Sequence, residues 1–97
     1  MEPHVARALE LRYLLTSYLH DRGPLSVAEL ARLLDVDGFV VWGRPSKVVS
    51  DALRWEVRRG RVVRLGRGRY APGRMPRGTA YRIRKRVEAM HASSIGS

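Results

Sequence analysis

The chain contains no cysteine among its 97 residues. It therefore has no disulfide framework, no thiolate metal site and no cysteine nucleophile. It also lacks any apolar run close to the roughly 20 residues that cross a bilayer. The N-terminus shows neither the basic start nor the apolar stretch of a signal peptide. These absences predict a cytoplasmic protein without a membrane partner.

Motifs for catalysis are missing as well. The sequence has no phosphate-binding glycine loop, no nucleophile elbow and no acid pair at a plausible site. His4, His20 and His91 do not follow a metal-ligand spacing, and we interpret them as surface residues. We therefore expect the protein not to be an enzyme and to hold no cofactor and no metal.

Positive charge is abundant, and the excess of positive over negative charge is confined to the second half of the chain. Residues 1–43 hold four arginines and six acidic residues, whereas residues 44–97 hold fifteen lysines and arginines and three acidic residues. The net charges of the two halves are thus −2 and +12. Such an asymmetry is typical of a protein with one face for a polyanion. Of the nineteen cations, seventeen are arginine, whose planar fork matches phosphate oxygens and guanine edges.

Apolar residues predict two helices in the first half. Between residues 4 and 20 they recur at steps of three and four, which indicates a helix that ends near Gly23 and Pro24. Ser26 and Glu29 have the spacing of a capping box, so Ser26 is expected to open a second helix. Residues 35–45 are not helical, and their apolar residues are expected to pack down or form a short strand.

A third helix is expected from Pro45 or Ser46 to Gly60. One face is largely apolar, and the opposite face carries Lys47, Ser50, Asp51, Arg54 and Arg58. On that polar face, Asp51 could accept from a cytosine amine, orient Arg54 or Lys47, or repel phosphate. Trp42 and Trp55 border apolar runs, so we expect core packing rather than the base stacking that single-strand binders use.

A hairpin follows the third helix. Residues 61–65 and 69–72 are predicted strands around Gly66-Arg67-Gly68, where glycine permits a positive φ. We expect Val63 and Leu65 to point into the core and Tyr70 to close the sheet. The arginines at the tip are placed to reach a phosphate or the minor groove of DNA.

The last predicted element is a basic helix over residues 77–92, capped by Thr79. Ile83, Val87 and Met90 form one apolar stripe on it. This stripe either packs on the first helix of the same chain or joins two copies in a homodimer. The helix's cations could form a second phosphate-binding arm. Residues 93–97 are expected to be a disordered tail.

Together these elements predict an α+β, mainly α fold, a winged helix-turn-helix. It has a three-helix core and a β-hairpin wing in residues 1–76, followed by an additional C-terminal helix. Both elements that would touch nucleic acid are rich in arginine. The predicted DNA-binding residues lie on the third helix and the wing: Arg44, Ser46, Lys47, Ser50, Arg54, Arg58, Arg64, Arg67 and Arg69.

The segment ALRWEVRRGRVVRLGRGRYAPG carries a family resemblance. It is similar to the N-terminal winged helix of AbiEi-type antitoxins and related actinobacterial regulators. That family has a leucine-bearing helix, a glycine and a basic hairpin ending in Gly-x-Tyr, which correspond here to Leu53, Gly60, Gly68 and Tyr70. The resemblance implies DNA binding by the third helix and the wing. Antitoxins of this family carry a second, larger domain after the wing, whereas only one more helix follows it here.

Three functions are compatible with this pattern. The first is binding of double-stranded DNA, as a bacterial transcriptional regulator or a nucleoid-associated protein. The second is binding of RNA or the ribosome through the same basic surface. The third is protein interaction, which many winged helices serve. The concentration of arginine favours a nucleic acid over a protein partner.

Overall fold

Four helices and five short strands make up residues 4–95, the part of the chain that this computed structural model describes. The helices are α1 (Ala8–Arg22), α2 (Val27–Val36), α3 (Pro45–Arg58) and α4 (Arg77–Ile95). The strands are β1 (His4–Val5), β2 (Leu25–Ser26), β3 (Phe39–Val40), β4 (Val62–Gly66) and β5 (Arg69–Pro72). The fold is thus α+β and mainly helical, as predicted. Within residues 4–95, none of the helices combines the length and the apolar character needed to cross a membrane.

The start of the chain differs from the prediction. Helix α1 begins at Ala8 rather than at residue 4, because His4–Val5 pairs in parallel with Phe39–Val40. The amide of Ala6 extends this pairing with a 2.8 Å hydrogen bond to the carbonyl of Val40. Apolar residues before α1 fit a helix face or a strand equally well, and the partner strand decides between them. Of the two possibilities for the apolar residues within 35–45, Phe39 and Val40 form the short strand β3, and Phe39 is also buried. The prediction that residues 35–45 are not helical is wrong at residues 35–36, because α2 continues to Val36.

Ser26 links the sheet to α2. Its hydroxyl accepts a hydrogen bond from the amide of Glu29 at 3.1 Å, and its own amide donates to the Glu29 carboxylate at 2.8 Å. The predicted capping box is therefore confirmed. These hydrogen bonds lower the pKa of Glu29, the backbone one most, with a further contribution from the charge of Arg69. Strand β2 pairs with β5, so the three-stranded antiparallel sheet has the order β2-β5-β4.

The hairpin forms where predicted, but its first strand, β4, faces the other way. Val62 is buried, whereas Val63 and Leu65 are exposed, so the expected burial of Val63 and Leu65 is wrong. Because side chains alternate along a strand, a shift of one residue exchanges the two faces. Arg61, the residue before β4, donates to a carboxylate in the core, and Val62, the first residue of the strand, is itself buried. Tyr70 is buried, as predicted.

That carboxylate belongs to Glu56 on α3, whose side chain is fully buried. Arg61 donates to both of its oxygens at 2.9 Å, Arg12 of α1 donates at 3.0 Å and the Thr16 hydroxyl donates at 2.9 Å. Burial by itself would raise the pKa of Glu56, but these hydrogen bonds and the charge of Arg61 bring it below its ordinary value. The cluster ties α1, α3 and the start of β4 together, and so sets the position of the hairpin relative to α3.

Helix α4 closes the core on the other side of α1. Ile83, Val87 and Met90 are buried in the core cluster, where α4 packs against α1. The stripe therefore packs within the chain and is not available as a dimer surface. Thr79 is not the cap: the helix begins at Arg77, and the amide of Ala80 already bonds to the carbonyl of Pro76 at 2.9 Å. The helix continues to residue 95, into the stretch predicted as a disordered tail, whose residues 96–97 lie outside the described part.

A polar contact holds α4 to the end of α2. Asp37 Oδ2 accepts the Tyr18 hydroxyl at 2.7 Å and lies 3.1 Å from His91 Nε2. Burial, followed by the hydrogen bond to Asp37, raises the pKa of the Tyr18 hydroxyl far above its ordinary value. His91 lies at the surface but is partly covered, and its ring meets Phe39 edge-on at 5.3 Å.

The packing of α4 gives a first testable prediction. Replacing Val87 with alanine removes two buried methyl groups and leaves a cavity against α1, so unfolding should be easier by about 2 kcal/mol. The measurement is urea unfolding at two protein concentrations. The same loss at both concentrations is expected, since the stripe packs within one chain. A loss that appears only at high concentration would place the stripe in an intermolecular contact instead.

Candidate nucleic-acid interface

The first group of predicted site residues lies on helix α3 and its N-cap. Its buried face consists of Val49, Ala52, Leu53 and Glu56, which leaves the opposite face to polar side chains. Pro45 is the first helical residue and Arg44 is the N-cap, which settles the choice between Pro45 and Ser46. Arg44, Ser46 and Lys47 are exposed at the N-terminal end, and Arg54 and Arg58 are exposed about two and three turns further on.

Asp51 lies among these cations and contacts two of them. Its Oδ2 accepts a hydrogen bond from Lys47 Nζ at 2.8 Å, and its Oδ1 is 3.8 Å from Arg54 Nη2. The hydrogen bond from Lys47 is the main reason that the pKa of Asp51 is lowered. Of the three roles considered for Asp51, this geometry matches the orientation of Lys47 and Arg54.

The second group of predicted site residues lies on the hairpin. Gly68 has a φ of +68°, which lets the chain turn within two residues between the paired Gly66 and Arg69. The carbonyl of Gly68 accepts a 2.9 Å hydrogen bond from the amide of Val27, the first residue of α2. The tip is therefore anchored to α2, and Arg67 projects from an anchored turn.

The two groups meet in a groove between α3 and the hairpin, which we call the arginine groove. Its volume is about 650 Å³, and its polar lining consists of Ser50, Arg54, Arg58, Arg64 and Arg67. Val27, Val57, Gly68 and Tyr70 complete the lining. Among the described residues, no carboxylate lies within 4.0 Å of the Arg64 or Arg67 guanidinium. Four arginines from two separate elements thus converge on one concave surface.

The other four predicted residues lie outside this groove. Arg44, Ser46 and Lys47 are on the first turn of α3 or its cap, and Arg69 is on β5 opposite Ser26. All four are exposed, and none of them lines the groove. The sequence did not predict the apolar floor formed by Val57 and Tyr70. Two sequence patterns pointed to this floor. Tyr70 follows Arg69 on a strand, where neighbours face opposite sides, and Val57 lies three residues after Arg54, on a neighbouring part of the same helix face.

The arrangement suits a ligand that carries several negative charges along its length. Guanidinium groups bind phosphate oxygens in bidentate fashion, and their convergence from a helix and a hairpin spaces them along a surface. Comparison with known proteins does not identify the chain, because no family model, no curated protein and no solved structure matches it. The resemblance to AbiEi-type antitoxins stays a prediction from the residues.

Proposed function

We propose that the protein is a winged helix-turn-helix that binds double-stranded DNA, with α3 in the major groove and the hairpin on the backbone. The observation that carries the proposal is the arginine groove, where Arg54 and Arg58 of α3 face Arg64 and Arg67 of the hairpin. The order of elements also supports it: three helices, a short strand before α2 that joins the sheet, and a hairpin directly after α3.

The proposed docking follows from the dimensions of duplex DNA. The major groove of B-DNA admits an α-helix and presents a distinct pattern of donors and acceptors for each base pair. Lys47, Ser50 and Arg54 lie on the exposed face of α3 and would reach base edges. Arg67 at the hairpin tip would contact a phosphate or enter the minor groove. A transcriptional regulator or a nucleoid-associated protein would use such a surface.

Mutations can distinguish the contribution of α3 to DNA binding from that of the hairpin. Arg54→Ala should weaken binding by about 1–3 kcal/mol and relax sequence preference, because a base-edge contact carries sequence information. Arg67→Ala should weaken binding evenly across sequences, because a phosphate contact carries none. The measurement is selection from a random duplex pool, followed by affinities for the selected and for scrambled duplexes.

The matched control is Arg22→Ala, which removes an exposed arginine at the end of α1, away from the arginine groove. This variant should bind both duplexes with nearly unchanged affinity. If Arg54→Ala and Arg67→Ala also bind like the wild type while remaining folded, α3 and the hairpin are not the binding surface.

Competition between duplex DNA and structured RNA of equal length tests the choice of nucleic acid. The major groove of A-form RNA is deep and narrow, so side chains on α3 could not read it. We therefore expect duplex DNA to displace bound RNA at fixed salt. The opposite result would favour an RNA- or ribosome-binding protein that uses the same arginines.

A further inference from the structure

The two tryptophans of the chain are exposed, contrary to the prediction that they belong to the core. Trp42 has 73% of its surface exposed and Trp55 has 53%. Both line a second groove, between α1 and the face of α3 that points away from the hairpin, which we call the tryptophan groove. Its volume is about 590 Å³ and its floor is apolar, with Leu11 and Val48 among the lining residues.

Each indole ring is accompanied by an arginine. The guanidinium carbon of Arg7 is 5.8 Å from the centroid of Trp42, and that of Arg58 is 5.3 Å from the centroid of Trp55. These separations are within the range of a cation–π contact. An exposed aromatic ring next to an arginine is the combination that stacks unpaired bases while neutralising their phosphates.

The excess of positive charge around the tryptophan groove favours an anionic ligand. Among the described residues, five cations lie on its lining or contact a lining residue, and they exceed the three carboxylates of Glu10, Asp51 and Glu56. The cations are Arg7, Arg12, Lys47, Arg54 and Arg58. An apolar floor combined with a net charge of about +2 matches flat bases on a phosphate chain better than an uncharged apolar peptide.

The tryptophan groove is next to the arginine groove. Arg58 lines the arginine groove and also contacts the ring of Trp55. Asp51 lines the tryptophan groove and contacts Arg54, which lines the arginine groove. A nucleic acid strand that leaves a duplex bound at the arginine groove can therefore cross α3 and reach the indole rings.

We infer that the tryptophan groove binds unpaired nucleotides through stacking of their bases on Trp42 and Trp55. The ligand of the protein is then DNA in which a duplex adjoins a single-stranded segment. This inference rests on the proposed function only for the binding of the duplex portion of the DNA. The single-stranded contact is made by different residues, so the two can be tested separately.

The test compares a blunt DNA duplex with the same duplex carrying a short unpaired thymidine extension. Because the chain has two tryptophans, each single substitution leaves one indole as the fluorescent reporter. The extension should quench the indole fluorescence and increase affinity. Trp55→Ala should reduce that gain by about 5- to 150-fold, the range for one stacked base, and Trp42→Ala should act similarly. Trp42→Ala should leave affinity for the blunt duplex unchanged, because neither Trp42 nor Arg7 lines the arginine groove, whereas Trp55 contacts Arg58 of that groove.

Tyr81→Ala is the matched control. Tyr81 is an exposed aromatic residue, 54% accessible, with Lys85 Nζ 5.9 Å from its ring, but it lies on α4 outside the tryptophan groove. Its substitution should leave the effect of the extension unchanged. A reduction equal to that of the tryptophan variants would mean that exposed aromatics in general, rather than this groove, increase affinity.

The outcomes separate this inference from the proposed function. If the blunt duplex binds and the extension changes neither affinity nor fluorescence, the inference is wrong and duplex binding stands. If the extended strand binds through the tryptophans and the blunt duplex does not bind, the inference stands and the proposed function is wrong. If neither DNA binds, both are wrong. A concentration-dependent dimer, seen by sedimentation and lost in Trp55→Ala, would assign the groove to a second copy and overturn the inference.

Discussion

Replacing Glu56 with alanine is expected to lower the free energy of unfolding by about 3–5 kcal/mol. The substitution removes the one carboxylate that Arg12, Thr16 and Arg61 all contact, at distances of 2.9–3.0 Å. Two arginines would then lie against the core without a counter-charge, which is the main source of the loss. For a domain of this size, such a loss is a large fraction of the total stability.

Urea unfolding at neutral pH measures this loss, and Asp51→Ala is the matched control. Asp51 is on the same helix and is also ion-paired, but the pair is exposed to solvent. Its removal should cost far less stability than the loss of Glu56, because solvent screens an exposed ion pair. A similarly small cost for Glu56→Ala would contradict the structural role of the buried carboxylate.

Because the pKa of the Glu56 carboxylate is lowered, the stability of the protein is expected to depend on pH in the acidic range. The pKa of Glu56 in the folded protein is below its ordinary value of 4.5, so folding favours the ionised form. Its contribution is fully present above pH 4.5 and is lost as the pH falls through the folded pKa. Glu56→Gln should therefore lose less stability than the wild type over that acidic range. Equal losses in the two proteins would show that other groups dominate acid unfolding.

Affinity for DNA is expected to fall steeply with salt. The exposed cations of α3 and the hairpin would neutralise about 4–7 phosphates, which gives a slope of about −4 to −6 for log affinity against log salt. Between about 0.05 M and 0.2 M salt the affinity should fall roughly 250- to 4,000-fold. The physical reason is the release of counterions that had condensed on the DNA.

Binding isotherms across a series of KCl concentrations measure this slope. Arg64→Ala and Arg67→Ala should each make the slope shallower by about one, since each would remove one phosphate contact. Arg22→Ala again serves as a control with the same change in net charge. A slope near zero for the wild type would rule out an electrostatic interface.

Much of the fold could be predicted because its signals are local. The capping box at Ser26 and Glu29, the proline at the start of α3 and the glycine turn at Gly68 each depend on residues close in sequence. The stripe of α4 was also correctly located, because helical periodicity is a local property. Whether that stripe faced its own chain or a second copy could not be decided from periodicity alone.

The misplaced residues depend on partners that are distant in sequence. Strand β1 exists because residues 39–40 pair with it, and the face that the hairpin buries depends on how the sheet packs against α1 and α3. The exposure of Trp42 and Trp55 depends on how α1 and α3 pack, which leaves a groove rather than a filled interface. A residue at the border of an apolar face belongs to the core or to solvent according to the element that packs beside it.

The sequence by itself determined the four helices, the hairpin and a basic second half with arginines on α3 and the hairpin. These follow from caps, turns, periodicity and composition, which act over a few residues. Only the tertiary structure decided that Arg54, Arg58, Arg64 and Arg67 share one groove and that Glu56 is buried among arginines. It also decided that two indoles remain open to solvent. Those features require segments that are far apart in the chain to be packed at a fixed distance and orientation, which no local pattern encodes.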